Sequence, residues 1–182
     1  MRGVRRAQTR CAPAKTKGLR TNVELSRLSD VLWAQRHLLE LLLYKLEQEQ
    51  LVLTSGRTRW LAQASREVAS VIDAVRDTEV GRAAEAEAAA RALDLPDGSS
   101  LGQIADAAPA PWDELLRAHR AALAGLAAEI REVTENNREL LATSYQATRE
   151  TLATLESDAA TYSPDGRTSP GDRSGQIIDR SL

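Results

Sequence analysis

Phenylalanine is absent from this sequence, and aromatic residues together make up only 3% of its 182 residues. With so few large side chains, a broad, many-layered core is out of reach. The single cysteine, Cys11, has no partner within the chain, so no internal disulfide is available and nothing calls for an oxidising compartment. No uncharged apolar run approaches the roughly 18 residues that a membrane helix needs. The most apolar stretch, Leu38 to Leu43, is interrupted by Glu40. Arg5 and Arg6 are not followed by the apolar segment of a secretory signal, because Lys15 and Lys17 fall where it would lie. The expected location is cytoplasmic, without stable membrane insertion.

Acid is missing from residues 1–20, which hold seven of the 24 basic residues. The remainder carries 17 basic residues against 26 acidic ones, a net of −9. Such a body does not suit a phosphate backbone, and no nucleic-acid partner is expected. The basic stretch itself has few apolar residues and reads as a disordered leader over residues 1–22.

What the chain does contain is Leu, Ala and Val in long stretches rich in Glu, Gln and Arg. Leu25, Leu28, Leu32, Leu39, Leu42, Leu46 and Leu53 fall on one helical stripe with Gln35 and Glu49 as polar interruptions. This predicts a helix over about residues 23–55, closed at Ser55-Gly56. Leu61, Ala64, Val68, Val71 and Val75 predict a second helix over about 58–93, folded back on the first as an antiparallel hairpin. The alanine-rich run from Ala83 to Ala92 offers almost no bulk, so a partner must approach it closely. Leu95-Pro96-Asp97-Gly98 breaks the pattern, and Ser100-Leu101-Gly102-Gln103 has the form of a capping box for a short helix over about 100–107.

A last long helix is expected over about 111–157, striped by Leu116, Leu123, Leu126, Ile130, Val133, Asn137 and Leu140. The stripe then shifts phase into Tyr145, Thr148, Leu152 and Leu155. Residues 159–182, built from Ser, Pro, Gly, Asp, Arg and Thr, are expected to form a mobile C-terminal tail. The fold class is therefore all-α: an antiparallel bundle of three long helices, coiled-coil in character, with a helical domain over 23–158 between two loose ends.

Chemistry of the catalytic kind finds no footing. His37 and His119 lie on different helices without second ligands at helical spacing, so no metal site is expected. No Gly-rich loop joins a strand to a helix, and Cys11 has no fixed base beside it. Neither an enzyme nor a bound cofactor is expected. Asn137 stands out instead, a polar residue on an apolar stripe. It reads either as a register-fixing buried asparagine or as a polar anchor in a groove for a partner helix. Trp33, Trp60 and Trp112 read as core or cap packing, and any left exposed would be a partner anchor.

Three stretches in order resemble the FlgN family of flagellar export chaperones. They are the first helix with its close in Leu51-Val52-Leu53-Thr54-Ser55-Gly56-Arg57, the segment Asn137-Arg138-Glu139-Leu140-Leu141, and the tail Tyr162-Ser163-Pro164-Asp165-Gly166-Arg167-Thr168-Ser169. The resemblance spans about residues 25–170; it departs at Thr134, where the family often has a second asparagine, and in the alanine-rich second helix. It implies a cytosolic chaperone without catalytic activity. Such a protein binds the C-terminal amphipathic helices of hook-associated (hook–filament junction) proteins, prevents their premature assembly and delivers them to the membrane protein of the flagellar type III export gate. The client-binding residues implied are Ile130, Val133, Asn137, Leu140, Leu141, Tyr145, Leu152 and Leu155, each with a competing reading as intramolecular core, and Tyr162 is implied in docking to the gate. A homodimer is left open. The alternatives are a structural, self-associating coiled-coil protein and a helical protein of type VII secretion, the latter lacking its Trp-x-Gly turn here.

Overall fold

The computed structural model describes residues 13–161, with side chains over 17–156. The leader ahead of Pro13 and the tail from Tyr162 onward, Tyr162 itself included, lie outside the described residues. The elements are α1 (Pro13–Thr54), a 3-10 turn (Thr58–Trp60), α2 (Leu61–Ala92), α3 (Leu101–Ala107) and α4 (Trp112–Thr161), and no strand occurs among the described residues. The chain divides into two compact units, Met1–Arg138 and Glu139–Leu182.

Within the first unit α1 and α2 form the expected antiparallel hairpin. Gly56 sits at φ 67° just past the end of α1, the left-handed conformation that glycine adopts without strain. Past the end of α2, Asp94 is left-handed at φ 58°, with Leu95 N–H donating back to Ala90 O at 2.9 Å and Asp94 N–H to Arg91 O at 3.2 Å. This is a Schellman closure, and its customary apolar contact is met by Leu95 packing on the core that contains Ala90. Ser100 and Gln103 make the capping box of α3 in both directions.

The core lies in two clusters. In one, Leu25, Leu28 and Leu32 of α1 meet Ala89 and Ala90 of α2, Ile104 and Ala105 of α3 and Leu116 of α4. The two alanines are fully buried, so the α1 and α2 backbones come close here, which a chain without phenylalanine needs if it is to leave no void. In the other, Leu42 and Leu46 pack on Val68 and Val71, with Ile72, Ile130 and Val133 against them.

α4 runs in the same direction as α1 in this unit, and its register against α1 is constant. Trp112 Nε1 donates to Asn22 Oδ1 at 3.0 Å, His119 Nε2 meets Ser29 Oγ at 3.3 Å, and Asn137 Nδ2 donates to Leu46 O at 2.9 Å. The sequence separations across these three ties are 90, 90 and 91.

α1 begins ten residues ahead of the expected 23, so residues 13–22, expected to belong to a disordered leader, are helical. The ties from residue 17 on are polar and distant in sequence. Lys17 pairs with Asp94 at 2.5 Å, the buried Thr21 hydroxyl lies 3.2 Å from Ala92 O at the open end of α2, and Asn22 accepts from Trp112. An apolar pattern could not announce them. α4 likewise continues to Thr161, into what was expected to be tail.

His119 is buried, with Trp33 edge-on at 4.9 Å and 83° between the rings. Burial, and secondarily the Arg36 charge, push its pKa below the ordinary value. Between that depressed value and about 6.5, the unfolded chain holds a proton that the folded chain does not. Stability therefore rises with pH through this window and is lost as pH falls through it. Urea midpoints taken from about pH 7.5 down to pH 5 should decline for the parent chain, and His119→Leu should flatten that decline.

Two glycines should respond oppositely to alanine. Gly81 is inside α2 with nothing near an added Cβ, and Gly81→Ala should stabilise by about 1 kcal/mol. Gly56→Ala meets no atoms either, yet its positive φ should cost about 1 kcal/mol. Paired urea titrations read both signs.

Candidate functional site

The sequence points to the second half of α4, and its candidate residues separate into two environments. Ile130 and Val133 are half-buried against the Leu42–Leu46–Val68–Val71 cluster, so within the first unit they serve the fold. Asn137 follows one turn later and is only 3% exposed. Its amide donates to Leu46 O at 2.9 Å and to Glu49 Oε2 at 3.2 Å, while Ser65 Oγ donates to Glu49 Oε1 at 2.6 Å. One polar layer thus joins α4, α1 and α2. Both groups facing the Asn137 nitrogen are acceptors, so turning the amide over would set oxygen against oxygen.

That layer is under-satisfied. Asn137 Oδ1 is buried without a partner, and Glu49, also buried, forms no ion pair among the described residues. A bare buried acceptor costs about 1–3 kcal/mol. Asn137 was legible as a polar position on an apolar stripe. Its partners were not, because Glu49 read as an interruption of the first stripe and Ser65 carried no signal at all.

The second unit presents the remaining candidates. Leu140 is half-buried, while Leu141, Tyr145, Leu152 and Leu155 are exposed. Leu141, Tyr145, Thr148, Leu152 and Leu155 are spaced four, three, four and three residues apart, which puts them on one face of the helix. Leu152 is 54% exposed and Leu155 59%, far more than isolated core leucines tolerate. The hydroxyls around them turn back on their own helix: Thr143 to Glu139 O, Ser144 to Leu140 O, Thr148 to Ser144 O and Thr151 to Ala147 O, at 2.8–2.9 Å. Such back-bonding satisfies the polar groups locally, so the face available to a partner is apolar. Arg149 lies over the Tyr145 ring at 5.9 Å.

Of the tryptophans, Trp112 is half-buried against the first cluster, whereas Trp33 and Trp60 are exposed, contrary to the reading of all three as packing. Trp33 carries Arg36 over its ring at 5.2 Å, and Trp60 carries Arg59 at 5.3 Å. No group of three His, Cys, Asp or Glu is placed to hold a metal among the described residues. No described helix is long and apolar enough to cross a membrane.

The Asn137 layer should behave as a strained tie. Asn137→Ala should destabilise the chain by about 2–3 kcal/mol, since it strips a donor from a buried carboxylate. Glu49→Leu combined with Asn137→Leu should recover most of that loss. Chemical denaturation measures both, and an Asn137→Ala midpoint equal to the parent's would show that the tie contributes nothing.

The family model described as FlgN protein matches residues 24–170, which is most of the chain and includes parts of both units. Neither the curated proteins nor the solved structures compared with it give a match. On the strength of that family match, the chain belongs to the FlgN family, a family of flagellar export chaperones.

Proposed function

We propose that this chain is a cytosolic export chaperone for hook–filament junction proteins, holding their C-terminal amphipathic helices until delivery to the flagellar export gate. The observation that carries the reading is the uncovered stripe Leu141, Tyr145, Leu152 and Leu155. An amphipathic client helix that lays its apolar face on this stripe removes two exposed surfaces from water at once. Full burial of an exposed leucine is worth about 1.5–3 kcal/mol, and the three partly exposed leucines and Tyr145 supply a share of that each towards the cost of association.

In this reading the eight candidate residues divide their work. Leu141, Tyr145, Leu152 and Leu155 contact the client, with Leu140 at the edge. Ile130, Val133 and Asn137 fasten α4 to its own bundle. Tyr162, following the described end of α4, is assigned to the export gate on the family pattern Tyr162-Ser163-Pro164-Asp165-Gly166. A residue outside the client stripe suits reversible capture, because the gate can take hold without displacing the client.

Calorimetric titration with the C-terminal helices of the same organism's hook–filament junction proteins should give saturable one-to-one binding. Leu152→Glu with Leu155→Glu should weaken it by at least about 100-fold, with helical circular dichroism and urea midpoint unchanged. Global unfolding of that double variant would make the two leucines core. Tyr162→Ala should leave client affinity alone and reduce export; a fall in affinity would break the division of labour. Absence of binding to all the junction-protein helices by a folded sample would favour a self-associating coiled coil.

A further inference from the structure

α1 has two apolar faces, and the fold uses one. Leu25, Leu28, Leu32, Leu42 and Leu46 face inward, all buried. On the opposite side lie Leu19, Val23, Trp33, Leu41, Tyr44 and Leu51, all exposed, with Leu19 at 68% and Leu51 at 69%. At 3.6 residues per turn these six fall within an arc of about 80°. The positions between them on the same arc are Ser26, Asp30, His37 and Gln48, so the complete series advances in steps of three and four from residue 19 to residue 51. That is the spacing of a coiled-coil seam, running about 48 Å along the helix. Half of the twelve exposed large apolar side chains among the described residues sit on it.

We propose that this outer seam of α1 is a dimer interface, occupied by α1 of a second copy of the same chain in antiparallel orientation. The seam is complementary to itself when reversed about the point between Trp33 and Ala34. In that register Val23 of one copy faces Tyr44 of the other, Ser26 faces Leu41, Asp30 faces His37, Leu19 lies against the Gln48 stem, and the two Trp33 rings meet near the two-fold axis. Small residues oppose large ones at the Ser26–Leu41 layer, as interdigitating seams require. Asp30 and His37 have no hydrogen bond or ion pair among the described residues, and only the antiparallel arrangement gives each the other. A parallel pair would set Asp30 directly against Asp30, a like-charge contact within an apolar seam. Trp33 is positioned by its T-shaped contact with His119 and by the Arg36 guanidinium over its ring.

The interface uses no residue assigned to the client or the gate, so it stands or falls apart from the proposed function. Sedimentation velocity of the full chain should show a monomer–dimer equilibrium within about 1–200 μM, the range typical of modest seams. Val23→Glu with Leu41→Glu should raise the dimer dissociation constant by at least about 100-fold without changing circular dichroism, because both side chains are exposed. In a Cys11→Ser background, a mixture of Val23→Cys and Tyr44→Cys chains should on oxidation give chiefly the Val23–Tyr44 cross-link. A parent chain that stays monomeric throughout the range overturns the proposal. So does a dimer that survives the two glutamates, which would place the contact elsewhere, or a preference for Val23–Val23 cross-links, which would make it parallel.

Discussion

The structure depends on keeping α4 in step with α1. A helix packed only through leucine and valine can slide by a turn at modest cost, because one apolar layer resembles the next. Here sliding is opposed by directional bonds: the Trp112 indole on Asn22, the Ser29–His119 contact and the Asn137 amide on Leu46 and Glu49. A shift of one turn would strand the buried Ser29, His119, Asn137 and Glu49 without these partners. The unpaired Asn137 oxygen is stability given up, and what it secures is register.

The same logic explains why the chain does without phenylalanine. Long helices meet along narrow seams, and at the first cluster the contact depends on thinness: Ala89 and Ala90 admit Leu25, Leu28 and Leu32 where a bulkier residue would hold the helices apart. The close contact is confined to the end of the alanine-rich run, since Ala89 and Ala90 are buried while Ala83 and Ala84 are exposed. Where the two helices are spaced by Leu42, Leu46, Val68 and Val71 instead, the buried residues retain 5–8% exposure, and polar groups enter the layer beside them.

Much of this was legible in the sequence, for reasons that differ by element. Inward leucines of α1 announce themselves because a single stripe is repeated seven times. The close at Gly56 and the capping box at Ser100 are local chemistry, readable from a few adjacent residues. The start of α1 was not readable. Lys17, Thr21 and Asn22 are ordered by Asp94, Ala92 and Trp112, more than 70 residues away. The stripe of α4 looked continuous through Asn137, yet Ile130 and Val133 are half-buried against the bundle while Leu152 and Leu155 are exposed. Periodicity reports that a face is apolar and says nothing of what covers it. The outward face of α1 was missed for a related reason, since Ser26, Asp30, His37 and Gln48 dilute it and the stronger inward stripe masks it.

The constant separation between α1 and α4 bears on how members of such a family can differ in length. Within residues 93–111, between α2 and α4, Leu95, Ile104 and Ala105 pack on the first cluster, so length changes there fall most readily in the exposed turn at Pro96-Asp97-Gly98. Between His119 and Asn137 a single inserted residue would turn everything after it by about 100°, and the amide would leave its acceptors. Length change there is tolerated only when α1 changes by the same amount between Ser29 and Leu46. Because α1 is also held to α2 at Ala89 and Ala90 and again at Val68 and Val71, insertions and deletions should come as matched sets across all three long helices.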